Sequence, residues 1–113
     1  MTNLNIVINI FTMFAFGLVY SQKILSVDYV SQADVKVFVV DYPSQADLKV
    51  FKVDYANQAK GNKGLWYFVK YESQSDKKIF FVDYESQADL LIHFVENKSQ
   101  SGWRTYSKIH LLY

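Results

Sequence analysis

From residue 23 onward, short apolar runs alternate with short polar ones on a fixed beat. The stretch VKVFVVDYPSQADLKVFKVDY, residues 35–55, shows the unit: a run of Val and Phe, a Val-Asp-Tyr exit, then Ser-Gln-Ala-Asp. The glutamines of the polar phrase are Gln32, Gln45, Gln58, Gln74, Gln87 and Gln100, spaced 13, 13, 16, 13 and 13 residues apart. Tyr29, Tyr42, Tyr55, Tyr71 and Tyr84 keep step before them, with Asn97 in the sixth place. Six repeats therefore follow one another, and a three-residue insertion falls at the midpoint, at Gly61-Asn62-Lys63-Gly64. Repetition this regular is the first fact any fold must satisfy.

The apolar runs are rich in Val, Phe, Tyr and Ile and too short for independent helices, so each predicts a strand. Alternation places Phe38/Val40/Tyr42, Phe51/Val53/Tyr55, Tyr67/Val69/Tyr71 and Phe80/Val82/Tyr84 on one face, predicted to be the core. Val39/Asp41 and Lys52/Asp54 fall on the other, mixed face. Ser followed three residues later by Asp resembles a capping box, which predicts a single helical turn closed on its own backbone. The Gln amide both donates and accepts, and so suits backbone groups left open at a strand end. The predicted fold class is mainly β with short helical turns, six 13-residue strand-turn repeats in one compact domain. A seven-residue strand spans ~23 Å at ~3.3 Å per residue, and the six residues left over barely retrace that distance. Two repeats are therefore expected to complete one winding, with about three windings in the body.

The recurring Val/Phe-Asp-Tyr-x-Ser-Gln-Ala-Asp, with Ala59-Lys60-Gly61-Asn62-Lys63-Gly64-Leu65-Trp66-Tyr67-Phe68 at its centre, resembles the septknot family. The family comprises small bacterial proteins whose backbone forms a deep knot of seven crossings. The resemblance covers residues 23–106 and implies a tightly wound, β-rich domain with no established activity. This chain departs from the pattern at Ser75 for Ala, at Asn97 for Tyr, and in the tail after Tyr106.

Residues 1–22 carry no charged side chain, and positions 6–20 are apolar except for Asn9, Thr12 and Gly17. Fifteen positions are fewer than the ~20 that a membrane span needs, and Val19-Tyr20-Ser21 suits a cleavage site. The expectation is a signal peptide at 1–21, a mature domain at 22–113, secreted or periplasmic and not membrane-bound once processed. Twelve basic and 11 acidic residues nearly cancel, which gives no reason to expect nucleic acid as a partner. The absence of cysteine removes disulfides, thiol nucleophiles and thiolate metal sites.

Catalytic chemistry finds little purchase. The only imidazoles are His93 and His110, there is no Gly-x-Ser-x-Gly elbow, and neither a His-Glu-x-x-His nor a calcium loop occurs. No enzyme, cofactor or metal is expected, and the chain is expected to be a monomer. Symmetry accounts for the repeats, so candidate binding residues lie where the repeat breaks: Gly61, Lys63, Gly64 and Trp66 at the midpoint, and Trp103 and Arg104 in the tail. Gly-x-x-Gly beside lysines suits a phosphate or backbone cradle, and Trp and Arg are favoured at binding hot spots. Two functions follow as expectations: a stable structural or protein-interaction module, or a small-ligand or glycan binder using the midpoint loop and exposed aromatics. Burial of both tryptophans would take away the second one's main support.

Overall fold

In a computed structural model, which describes residues 21–113, six short strands close into a barrel. They are β1 (Lys23–Ser26), β2 (Val35–Val39), β3 (Leu48–Lys52), β4 (Leu65–Phe68), β5 (Lys77–Phe81) and β6 (Leu90–Phe94). A two-residue β7 (Gly102–Trp103) and a 3-10 helix (Tyr106–Leu112) follow. The order round the barrel is β4-β1-β5-β2-β6-β3 and back to β4, and every one of these pairs is parallel. Each half of the chain thus takes every second place, and the second half fills the gaps left by the first.

The predicted class holds, but the winding differs from expectation. Three repeats, not two, complete a circuit. Most strands have five residues rather than seven and span ~17 Å, a distance that eight nearly extended connecting residues easily retrace. A return path that short has room for one 3-10 turn and no crossover helix. These turns lie across the outer face of the strand being skipped: Val30–Gln32 over β5, Pro43–Gln45 over β6, Glu85–Gln87 over β2 and Lys98–Gln100 over β3.

The interior layer is formed by Ile24, Val37, Val50, Trp66, Ile79 and Ile92, one per strand and all at 0 % exposure. Burying each such side chain stabilises the fold by about 1.5–3 kcal/mol. Above this layer the ladder repeats six times: Val27, Val40, Val53, Val69, Val82 and Val95 each donate an N–H to the neighbouring strand's mid-layer carbonyl, at 2.8–2.9 Å. Within the strands the predicted core face is therefore in the wrong phase, although Val40 and Val53, just past β2 and β3, are buried at 5 % and 8 % exposure. Phe38, Phe51, Tyr67 and Phe80 lie on the outside of the barrel, half-buried beneath the crossing connections. Tyr42, Tyr55, Tyr71 and Tyr84, assigned to that face, are 65–68 % exposed, as is Tyr29. A parallel sheet covered on both faces reads as apolar on both, so alternation cannot fix which side is in.

The Ser-Gln-Ala-Asp phrase also works differently. No serine caps its turn. The aspartate instead clips the next strand's start to its neighbour. Asp34 donates its N–H to Lys78 O (2.8 Å) and accepts the Lys78 N–H on its carboxylate (2.9 Å). Asp47 does the same with Leu91, Asp76 with Lys23, and Asp89 with Lys36. The glutamine role is seen at Gln58, whose Oε1 accepts the Tyr55 N–H at 3.1 Å.

The two aspartates of the repeat are thereby separated in role. Asp34→Ala removes a charged acceptor from a strand-start N–H and is expected to cost about 1–2 kcal/mol. Asp28→Ala, on an exposed side chain without such a bond, is expected to stay within about 0.5 kcal/mol. Urea unfolding midpoints of the two variants measure the difference; equal midpoints would dismiss the clip.

Candidate functional site

The six candidate residues gather at one seam. The free edge of β3 is divided, its first half pairing antiparallel with β7 and its second half pairing parallel with β4. Trp103 therefore faces Leu48 and Trp66 faces Lys52 across the same strand. The midpoint loop sits against this junction. Gly64 adopts φ +85° and is buried; a Cβ there would lie 2.3 Å from Lys49 O. Gly61 also has positive φ, +77°, but a Cβ there would meet only the Lys63 side chain, no nearer than 3.7 Å. Only glycine enters these conformations without strain.

Most of the polar atoms at the seam face inward. Trp66 is fully buried and donates its Nε1–H to Gln22 Oε1 at 3.1 Å. Gln22, 2 % exposed, passes on a bond from Nε2 to Leu112 O at 2.9 Å. Trp103, 9 % exposed, donates to Asn62 O at 3.0 Å, and Asn62 Nδ2 donates to Ile109 O at 2.9 Å. Arg104 turns one guanidinium nitrogen, Nη1, to three main-chain oxygens, those of Pro43, Ser44 and Ala46. Lys63 and Arg104 are the two exposed members of the six, and the Lys63 ammonium has no partner among the described residues. The candidates are brought together, and their groups lock the C-terminal segment over the barrel's strand-start end.

Asp47 is the hub of that lock. Its carbonyl accepts the N–H groups of Arg104 and Thr105, and its carboxylate accepts Leu91 N–H and Lys108 Nζ, the latter at 3.0 Å. Burial pushes the Asp47 carboxyl up, but the Leu91 N–H, the Thr105 hydroxyl and the Lys108 ammonium outweigh it and hold the group below its ordinary 3.8.

The strand-exit end of the barrel differs. The inward positions beyond the middle layer are Ser26, Val39, Lys52, Phe68, Phe81 and Phe94, and none is fully buried. Lys52 Nζ lies 4.4 Å from the Phe94 ring centre and 5.6 Å from that of Phe68, a cation-π arrangement. Sequence reasoning missed this end. The available signal was a lysine in register with three phenylalanines and a valine. On the flank, a groove of about 470 Å³ between connections is lined by Ser26, Asp28, Ser31, Gln32, Lys70, Glu72 and Lys78. Lys78 pairs with Glu72 at 2.6 Å, and this hydrogen bond raises the Lys78 pKa. A second groove, of about 370 Å³, holds Val30, Lys36, Phe80, Val82, Ser86 and Gln87. His93 lines neither groove; its Nδ1–H donates to Val40 O at 2.9 Å. Among the described residues no group of three or more His, Asp or Glu is placed to hold a metal.

Two outcomes follow. Gly64→Ala forces a Cβ against a backbone oxygen and is expected to cost about 3 kcal/mol or more, against about 1 kcal/mol for Gly61→Ala, in urea titrations. A carboxyl whose pKa is lowered on folding stabilises above its unfolded value and loses that contribution as pH falls through the folded value. Thermal midpoints should therefore drop from about pH 4 downward, and Asp47→Asn should flatten part of that drop.

The comparisons with known proteins agree with the architecture. No curated protein and no solved structure matches the chain. A family model, described as the 7(1) septoil knot domain, matches residues 21–104, about three quarters of the sequence. The tail lock beyond residue 104 lies outside the matched region. With a match over that span, which takes in all six interleaved strands, the chain belongs to the septknot family.

Proposed function

We propose that this chain is an exported, very stable, non-catalytic module that acts through protein contacts. The observation that carries the reading is the girdle of five tyrosines, Tyr29, Tyr42, Tyr55, Tyr71 and Tyr84, each 65–68 % exposed where the chain leaves a strand. Large aromatics presented at equal intervals on a rigid frame are what an interaction surface offers. Export rests on the apolar, uncharged leader, whose positions 1–20 lie outside the described residues. The glycan reading draws no support from Trp66 or Trp103, which are both buried.

Stability is attributed to the path. Each half circles the barrel while its connections pass outside strands of the other half, so the two circuits hold each other in place. The family's description as a septoil knot domain supports reading that path as knotted. Unfolding then requires the whole barrel to open, which slows it and starves proteases of cleavable segments.

A photoreactive residue at position 42 of the full chain, expressed in a bacterial host, is expected to give covalent adducts with other proteins outside the cytoplasm. The same chain should resist a non-specific protease under native conditions. Retention in the cytoplasm, rapid digestion, or irradiation without protein adducts would each remove part of the proposal.

A further inference from the structure

The two ends of the barrel are not alike. The strand-start end is closed by the tail, with Leu112 3 % exposed in the core. The strand-exit end is open, and the second residue past each strand's end is Asp28, Asp41, Asp54, Lys70, Asp83 or Glu96. All six are exposed, and none of the five acids has a hydrogen bond or ion pair. Five carboxylates against one lysine stand in a ring. With 12 basic and 11 acidic residues in all, the rest of the chain is left with 11 and 6. The rim is therefore net acidic and the remainder of the chain net basic. Each rim position but the last is followed by an exposed tyrosine, so carboxylate and phenol recur side by side round the circumference.

Carboxylates beside open aromatic faces are complementary to guanidinium and ammonium groups, which pair with the one and stack on the other. The chain already shows the mode within its own mouth, where the Lys52 ammonium rests on Phe94 and Phe68 without a carboxylate partner. From the ring of unpaired acids interleaved with exposed tyrosines, we infer that the strand-exit face docks an arginine- and lysine-bearing segment of another protein. This rests on the proposal that the domain works through protein contacts, and it names the chemistry of the partner. Such a segment would lie along the rim, its cations bridging Asp-Tyr pairs of adjacent connections. The opposite end, with Lys60, Lys63 and the tail, would take no part.

The test titrates the full chain at low ionic strength with a hexa-arginine peptide, and with hexaglutamate as control, by calorimetry and by aromatic ring resonances. The expected result is binding of hexa-arginine alone, with shifts in the girdle tyrosines and in Phe68, Phe81 and Phe94. The fourfold variant D28N/D41N/D54N/D83N should weaken it at least about tenfold. The variant Tyr29→Ser with Tyr42→Ser and Tyr84→Ser, which keeps every charge, should weaken it about fivefold. Thermal midpoints near that of the unaltered chain show that both variants fold. An unchanged affinity in the tyrosine variant, shifts confined to the strand-start end, or no binding would overturn the inference. So would self-association abolished by the fourfold variant, which would make a second copy's basic end the occupant. The two proposals fail separately. Cross-linked partners lacking basic segments would sink this inference and leave the interaction module standing. Absence of any protein adduct would sink the module, whatever the peptide does.

Discussion

No strand of the barrel has a neighbour from its own half of the chain. Backbone bonds such as those of Asp34 with Lys78 and Asp76 with Lys23 join residues 44 and 53 positions apart. The rest of the structure depends on this. A half alone would present three separated strands, each with both edges open and no interior to share. The mid-layer of Ile24, Val37, Val50, Trp66, Ile79 and Ile92 exists only when both halves interleave, so the hydrophobic gain and the ladder arrive together. Closing such long loops before the contacts reward it makes folding slow and the finished state cooperative.

The sequence made the period, the class and the family legible, because each is written locally in the repeated phrase. What it hid was non-local. Asp34 reads as a helix cap from its own neighbourhood and acts as a clip on a strand from the other half. Phe38 and Phe51 read as core because both faces of these strands are covered, one by the interior and one by connections running over it. Tyr42 stands past the strand end, where the chain swings outward and the alternation no longer applies. Each error came from extending a local rule beyond the element that obeys it.

At the candidate site the same division holds. The rule that function lies where symmetry breaks found a real assembly: Gly64, Trp66, Trp103 and Arg104 converge on one seam. Both indole N–H groups and Arg104 Nη1 go to carbonyls and to Gln22, so the breaks mark where a repeating chain must be fastened at its join and its tail. The rim of acids was present in every Asp-Tyr pair, yet it becomes a ring only once all six strands are parallel and their exits share one end. Lys52 carried a signal that was visible only in register with Phe68, Phe81 and Phe94.

The three extra residues at the midpoint set the phase of the second circuit. Every other connection skips one strand, whereas the one from β3 to β4 lands on the adjacent place. Had the fourth strand followed by the ordinary stride, it would have come down on the place already held by β1. The number of repeats is therefore locked in a way that open solenoids are not, where units are gained or lost at an end with little penalty. Duplicating one repeat here would leave the two circuits unequal and the barrel unable to close. Growth would require one new repeat in each half at once, together with a wider barrel and a refilled interior. Point changes remain open to such a lineage; changes of copy number do not.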